Sequence, residues 1–211
     1  MNMNKLRSNI VDICNRMNND GLNQGTSGNV SCRDGLDILI TPSGVPYDTL
    51  VPEMIVSMDN DGKYEGPLKP SSEWHMHKDI YNAKSDAGAI VHVHSPYATA
   101  MSCHRRKIPA FHYMIAVAGG HDIKCAKYAT YGTRELSKNI LKALKSRKAC
   151  LISNHGQIAF EENLSKAFEL AEEVENLSNQ YITALKIGKP KILSLKEMNK
   201  VLSKAKNYKR E

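Results

Sequence analysis

A chain of 211 residues, 41% hydrophobic and 24% charged, can build one substantial core and has the balance of an ordinary water-soluble globular protein. Its formal charge of +7 sits at one end: residues 186–211 carry nine Lys or Arg against two acids, whereas residues 1–185 balance at twenty of each. With Tyr208 as the only aromatic of that tail, the excess describes a solvated helix face or a rim that steers an anionic substrate, and it argues against a nucleic-acid partner.

Leu6, Ile10, Ile13 and Met17 recur at helical spacing, which predicts an amphipathic opening helix ending near Gly21. A glycine-rich turn from Gly25 to Asn29 leads into short strands over 30–33 and 37–41, and Pro42-Ser43-Gly44 turns the chain again. A strand over 55–58 is closed by Asn60-Asp61-Gly62. The next helix is expected to start around Ser71-Ser72-Glu73 and run to about Ala83, followed by a strand over 89–94 and a helix from Pro96 to about His104. Residues 133–146 read as a helix and 149–153 as a strand. Residues 164–185 read as a long amphipathic helix with a ridge of Leu164, Phe168, Ala171, Val174, Leu177, Tyr181 and Leu185. Ser194 and Glu197 form a capping box for a last helix carrying Met198, Leu202 and Ala205.

Helices and strands intermix with no repeat and no long linker, which predicts an α/β chain, a sheet covered by helices on both faces, folded as one domain over 1–211. No apolar run approaches the roughly 18 residues that cross a bilayer, and residues 1–21 lack the apolar centre of a signal peptide. A cytoplasmic protein with no membrane partner is expected. The cysteines at 14, 32, 103, 125 and 150 are odd in number and include no CxxC, so they read as reduced thiols, with Cys14 and Cys150 in apolar contexts that suit the core.

Three of the eight histidines stand out. His92 and His94 are two apart on a predicted strand, so both imidazoles leave the same face and can share one divalent ion. His155 lies in the turn Asn154-His155-Gly156, where the glycine is expected to let the backbone bend. Glu73 stands at a predicted helix start with His77 four residues on, and those two, or less plausibly His75, could also face an ion; spacing does not choose among them. HExxH is absent, which excludes the helix-borne zinc protease arrangement.

The string from Gly21 through Gly25-Thr26-Ser27-Gly28-Asn29 to Ser31 resembles the opening motif of the class II aldolase/adducin family. Thr41 to Tyr47, Ser71 to Trp74, Val91 to His94, His112 to Ala116 and Asn154 to Gly156 then follow in that family's order. The resemblance covers nearly the whole chain. It implies a three-layer α-β-α fold with a central mixed, largely antiparallel sheet. It also implies a Zn2+ ion held by Glu73, His92, His94 and His155, leaving His75 and His77 as ordinary helix residues. Glutamate at 73, where the epimerases of the family typically carry aspartate, favours the aldolases, and intact ligands set the chain apart from adducin-like interaction modules.

The implied activity is cleavage of L-fuculose 1-phosphate, or a similar ketose 1-phosphate such as a deoxyribulose or methylthioribulose phosphate. The products are dihydroxyacetone phosphate and a short aldehyde. By resemblance, Glu73 is the general acid and base, and Gly28, Asn29, Ser43, Gly44, Ser71 and Ser72 cradle the phosphate. The positive end of a helix at Ser71 is expected to assist them. Tyr113 resembles the tyrosine that gives a proton to the departing aldehyde oxygen and Tyr208 a second tyrosine that closes over the aldehyde, while Tyr131 is expected either to line the aldehyde pocket or to serve in packing. The resemblance further implies a homotetramer with active sites between subunits.

Overall fold

A computed structural model describes residues 3–208, with side chains as far as Ala205. Eight strands form one sheet: β1 (Asn29–Asp34), β2 (Asp37–Ile40), β3 (Val56–Met58), β4 (Ala89–Val93), β5 (Ile108–Pro109), β6 (Asp122–Ala126), β7 (Ala149–Ile152) and β8 (Gly156–Glu161). Their spatial order is β3-β2-β1-β4-β8-β7-β6-β5. Neighbours run antiparallel except β6 and β7, which are parallel, so the sheet is mixed and largely antiparallel as expected.

The two-residue period of the strands divides the core in two. Leu39, Val91, Leu151 and Ala159 point to one face, where α1 (Met3–Asn19), α3 (Pro96–Cys103), α5 (Leu164–Ile187) and Met198 of α6 (Leu195–Tyr208) cover them. Ile38, Ile40, Ile90, Ile152, Ile158 and Phe160 point to the other, under α2 (Trp74–Ala83) and α4 (Arg134–Ala143). Each helix buries one stripe: Ile10, Ile13, Cys14 and Met17 on α1, and Leu164, Phe168, Ala171, Val174 and Leu177 on α5. The α5 ridge leaves the core before its predicted end, for Leu185 is exposed. Thr133 caps α4 by accepting from the Leu136 amide, and Ser194 caps α6 by accepting from the Glu197 amide.

Strands β5, β6 and β8 are absent from the sequence expectations. All six residues of β8 are buried, Gln157 included, so the strand lacks the polar alternation that marks a half-exposed strand. β6 is tied to the segment before β7 by a buried ion pair. The Arg147 guanidinium donates to Asp122 Oδ1 at 2.6 and 3.1 Å and to the Asp122 carbonyl at 2.8 Å. A Cβ on Gly120 would stand 2.1 Å from the guanidinium carbon, so a larger residue there would push the guanidinium aside from Asp122. Asp122→Ala would strand Arg147 as an uncompensated buried charge and is expected to cost about 3–5 kcal/mol of stability by denaturant titration. A loss below about 1 kcal/mol would show the pair to be unimportant.

Candidate functional site

Three separate stretches meet beneath α2. His92 leaves β4 on the same face as Ile90, and His94 follows directly after the strand. Asn29 on β1 lies opposite His92 in the antiparallel register. Gly28, at φ +73°, brings its loop so close to β4 that a Cβ there would lie 2.6 Å from the His92 carbonyl oxygen. Asn23 accepts from the His94 amide at 3.3 Å and so ties the opening motif to the second histidine.

The turn that presents His155 works differently from the sequence expectation. Asn154, not Gly156, takes the left-handed conformation, at φ 53°. Asn tolerates that region better than most residues. Gly156 serves a close approach instead: a Cβ there would stand 2.4 Å from the Val93 carbonyl oxygen, so the glycine lets β8 start hard against the end of β4. Arg105 donates to Asn154 Oδ1 at 2.7 Å and braces the turn.

Helix α2 begins later than expected. Ser71 and Ser72 precede it, and Glu73 occupies the N-cap position with no side-chain cap of its own. Ser71 Oγ accepts from the Glu73 amide at 3.3 Å. The Glu73 side chain caps no amide of α2 and turns inward to the histidines.

There Glu73 Oε2 lies 3.2 Å from His92 Nε2, Glu73 Oε1 lies 3.5 Å from His155 Nε2, and the two ring nitrogens of His92 and His94 lie 3.1 Å apart. One donor atom from each of the four residues falls within 4.8 Å of all the others. His92 Nδ1 donates to the Gln157 carbonyl at 2.7 Å, which leaves its Nε2 lone pair facing the cluster. Burial, and then the neighbouring His92, push His155 down to about 4; burial, His92 and His155 push His94 down to about 3. Both rings are neutral near pH 7 and could each offer a lone pair to a metal ion. Burial alone would raise the Glu73 carboxyl, but His92, His155 and the Asn29 amide outweigh it and hold it well below the usual carboxylate range. Glu73 Oε1 is buried and makes no hydrogen bond. An ionised carboxylate with one oxygen lacking a donor, gathered with three imidazoles within 4.8 Å, is the arrangement that a divalent cation resolves. The residues present fit such an ion.

A cleft of about 310 Å³ opens beside this cluster. Its walls include Gly28, Asn29, Ser43, Gly44, Ser71 and Ser72, the whole predicted phosphate set, together with Glu73, His94, His155 and Tyr131. Thr26, Ser27, Tyr128 and Asn154 also line it and had no predicted role. No Lys or Arg is found among its described lining residues. Tyr113 lies elsewhere, at the start of a 3-10 turn (Tyr113–Ala118), and is 53% exposed. Tyr208 ends α6, and its side chain lies outside the described residues. His75 stays outside the cluster, while His77, read as an ordinary helix residue, is fully buried and bonded to Asn29.

A family model described as Class II Aldolase and Adducin N-terminal domain matches residues 8–182. The L-fuculose phosphate aldolase of Escherichia coli (strain K12) is 52% identical over 209 residues, spanning 99% of this chain and 97% of its own length. The 5-methylthioribulose-1-phosphate/5-deoxyribulose-1-phosphate aldolase of Rhodospirillum rubrum is 49% identical over 203 residues, spanning 96% of this chain and 92% of its own. A solved structure described as L-fuculose 1-phosphate aldolase superposes with a TM-score of 0.93 at 41% identity, with 96% of each chain covered. The chain belongs to the class II aldolase/adducin family. Within it the chain is an aldolase, a carbon–carbon lyase of the metal-dependent class.

Proposed function

We propose that the protein is a zinc-dependent aldolase that reversibly cleaves L-fuculose 1-phosphate, or a similar ketose 1-phosphate, to dihydroxyacetone phosphate and a short aldehyde, L-lactaldehyde for fuculose. The observation that carries this reading is the gathering of Glu73, whose buried Oε1 makes no hydrogen bond, with His92, His94 and His155 within 4.8 Å beside a cleft lined by glycines and serines. Nitrogen-rich ligation suits zinc better than magnesium or calcium. When bound, zinc would polarise the ketone and stabilise the negative charge that develops beside it.

The protein's own groups do the rest. Backbone amides and hydroxyls at Gly28, Asn29, Ser43, Gly44, Ser71 and Ser72 hold the phosphate dianion, helped by the amide end of α2, and so place the carbon to be deprotonated against Glu73. Glu73 takes that proton and returns it, as general base and then acid. Tyr131, an exposed residue of the cleft lining, contacts the aldehyde half. No helix among the described residues is long and apolar enough to cross a membrane, and all five cysteines are free, which fits a single-domain cytoplasmic enzyme.

A second reading of the substrate has its own support, the 49% identical relative named for methylthioribulose and deoxyribulose phosphates. These sugars share the phosphorylated three-carbon end and differ in the aldehyde. Assaying a panel of ketose 1-phosphates for released dihydroxyacetone phosphate decides between them: the fuculose phosphate is expected to give the highest kcat/KM. A higher value for a deoxyribulose phosphate would move the assignment, and no cleavage of any member would end the aldolase proposal.

Tyr113 and Tyr208 are assigned to the aldehyde half, Tyr113 donating a proton to the departing oxygen. Tyr113 is half-exposed and is not among the residues that line the cleft of its own chain, which supports a homotetramer whose neighbouring subunit completes the site. Tyr113→Phe is expected to lower cleavage about 10²-fold while sparing proton exchange on dihydroxyacetone phosphate, which needs no aldehyde. Equal retention of both activities, or sedimentation as a fully active monomer, would refute the shared site.

A further inference from the structure

A chain of buried hydrogen bonds leads away from Glu73 into the core under α2. Asn29 Nδ2 lies 3.1 Å from Glu73 Oε2, and Asn29 Oδ1 lies 2.5 Å from His77 Nε2. His77 Nδ1 lies 2.7 Å from Ser31 Oγ, which in turn lies 2.8 Å from the Tyr81 hydroxyl. Asn29, Ser31, Glu73, His77 and Tyr81 are all buried.

The direction of every bond follows from the Glu73 end. An ionised carboxylate only accepts, so Asn29 must present its NH2 to Glu73 and its carbonyl oxygen to His77. His77 must then carry its proton on Nε2 and donate it. Burial pushes His77 down to about 3, so the ring is neutral and Nδ1 is left as an acceptor. Ser31 donates to Nδ1 and accepts from Tyr81. No other pattern satisfies all five groups at once, and reversing the Asn29 amide would set its oxygen against the carboxylate.

We infer that His77 is a positioning residue for the acid–base group: by donating to Asn29 Oδ1 it locks the Asn29 amide in the orientation whose N–H group holds Glu73 toward the histidine cluster. This inference rests on Glu73 being the proton-transferring group. A buried histidine that merely filled space would need a partner, but its bonds would not have to end on the reactive carboxylate. Asn29 is thereby given two tasks, one toward the cleft and one toward Glu73, and the bond from His77 keeps the second from varying when the first engages substrate.

Full-length His77→Phe keeps a ring of similar size and removes the donor, whereas His77→Gln returns an N–H at about the reach of Nε2. The measurements are kcat and KM for cleavage and the affinity of the metal-stripped protein for cobalt. His77→Phe is expected to lose about 10-fold or more in kcat and in cobalt affinity and to change KM less, because Asn29 is the one member of the phosphate set that it contacts. His77→Gln is expected to recover most of both losses. Wild-type kcat and cobalt affinity in His77→Phe would overturn the inference, as would a folded His77→Gln that is equally defective. Should His77→Phe fail to fold, Ser31→Ala carries the test, because without the serine hydroxyl the His77 ring loses the bond that holds it against Asn29 from its other nitrogen. Its kcat and cobalt affinity are expected to fall several-fold, and unchanged values would overturn the inference. If the wild-type protein cleaves no ketose 1-phosphate, the aldolase proposal fails, while the cobalt titrations still decide the role of His77.

Discussion

Replacing Glu73 by glutamine is expected to lower kcat about 10²–10⁴-fold, the contribution of a positioned general base. The change keeps size and hybridisation, so the buried site stays filled and the fold is retained. What it removes is the proton-accepting oxygen and the negative charge. Glutamine would also turn an NH2 toward either Asn29 Nδ2 or the histidine cluster, where only acceptors fit, so metal affinity is expected to fall with activity.

Near pH 7, where His155 is neutral and His92 turns a lone pair to the cluster, the Asn29 amide is the group that opposes burial at the wild-type carboxylate. A carboxylate drawn off that amide toward a substrate carbon would keep the burial and lose the opposition, which strengthens it as a base. Glutamine cannot do this. Carbon–hydrogen exchange on dihydroxyacetone phosphate and full cleavage should therefore fall together. A folded Glu73→Gln protein that exchanges and cleaves like wild type would mean that the base lies elsewhere.

The parts of this fold that were legible in the sequence are those with a strong period or a strong punctuation mark. Ile38, Leu39 and Ile40 alternate between two cores, Ile10 to Met17 keep helical spacing, and Thr133 and Ser194 announce their helices. His92 and His94 were readable as a pair because strand geometry alone puts them on one face. β8 was not legible, because its burial on both sides erases the alternation, and the ordered turn before it looked like the end of an element. The short stretch of β6 gave too little pattern to separate it from a loop.

Two local readings had the right residues and the wrong cause. The glycine after His155 is required by the nearness of Val93, not by the bend, and Ser71 holds the Glu73 amide two residues on without capping a helix that starts there. Both depend on contacts across the chain, which no local signal carries. The same holds for His77. Its spacing from Glu73 suggested a possible ligand, but its ring points to Asn29 and Ser31, residues that only the pairing of β1 with β4 brings within reach.

Stripping the metal with a chelator is expected to abolish cleavage and exchange together, and to lower the unfolding temperature. The first effect follows from the chemistry: without a cation beside the ketone nothing offsets the charge that Glu73 would create on carbon. The second follows from where the ligands come from. Glu73 precedes α2, His92 and His94 lie at the end of β4, and His155 lies in the turn between β7 and β8, so one ion would join three segments that the unfolded chain holds far apart.

Binding to the folded state alone at about 1,000 times Kd contributes about 4 kcal/mol. For a chain of this size that corresponds to a shift on the order of 10 °C. The stripped site would leave four donors crowded within 4.8 Å with no cation between them, so the loss should be local first, loosening Glu73 and the His155 turn before the sheet. Zinc or cobalt should restore activity and thermal stability in parallel, at about one ion per chain. Magnesium should restore neither, because it prefers six oxygen ligands and dehydrates reluctantly. A rigorously metal-free preparation with full activity would remove the metal from the reaction. Restored stability without restored activity would keep the ion as a clamp and take it out of the chemistry.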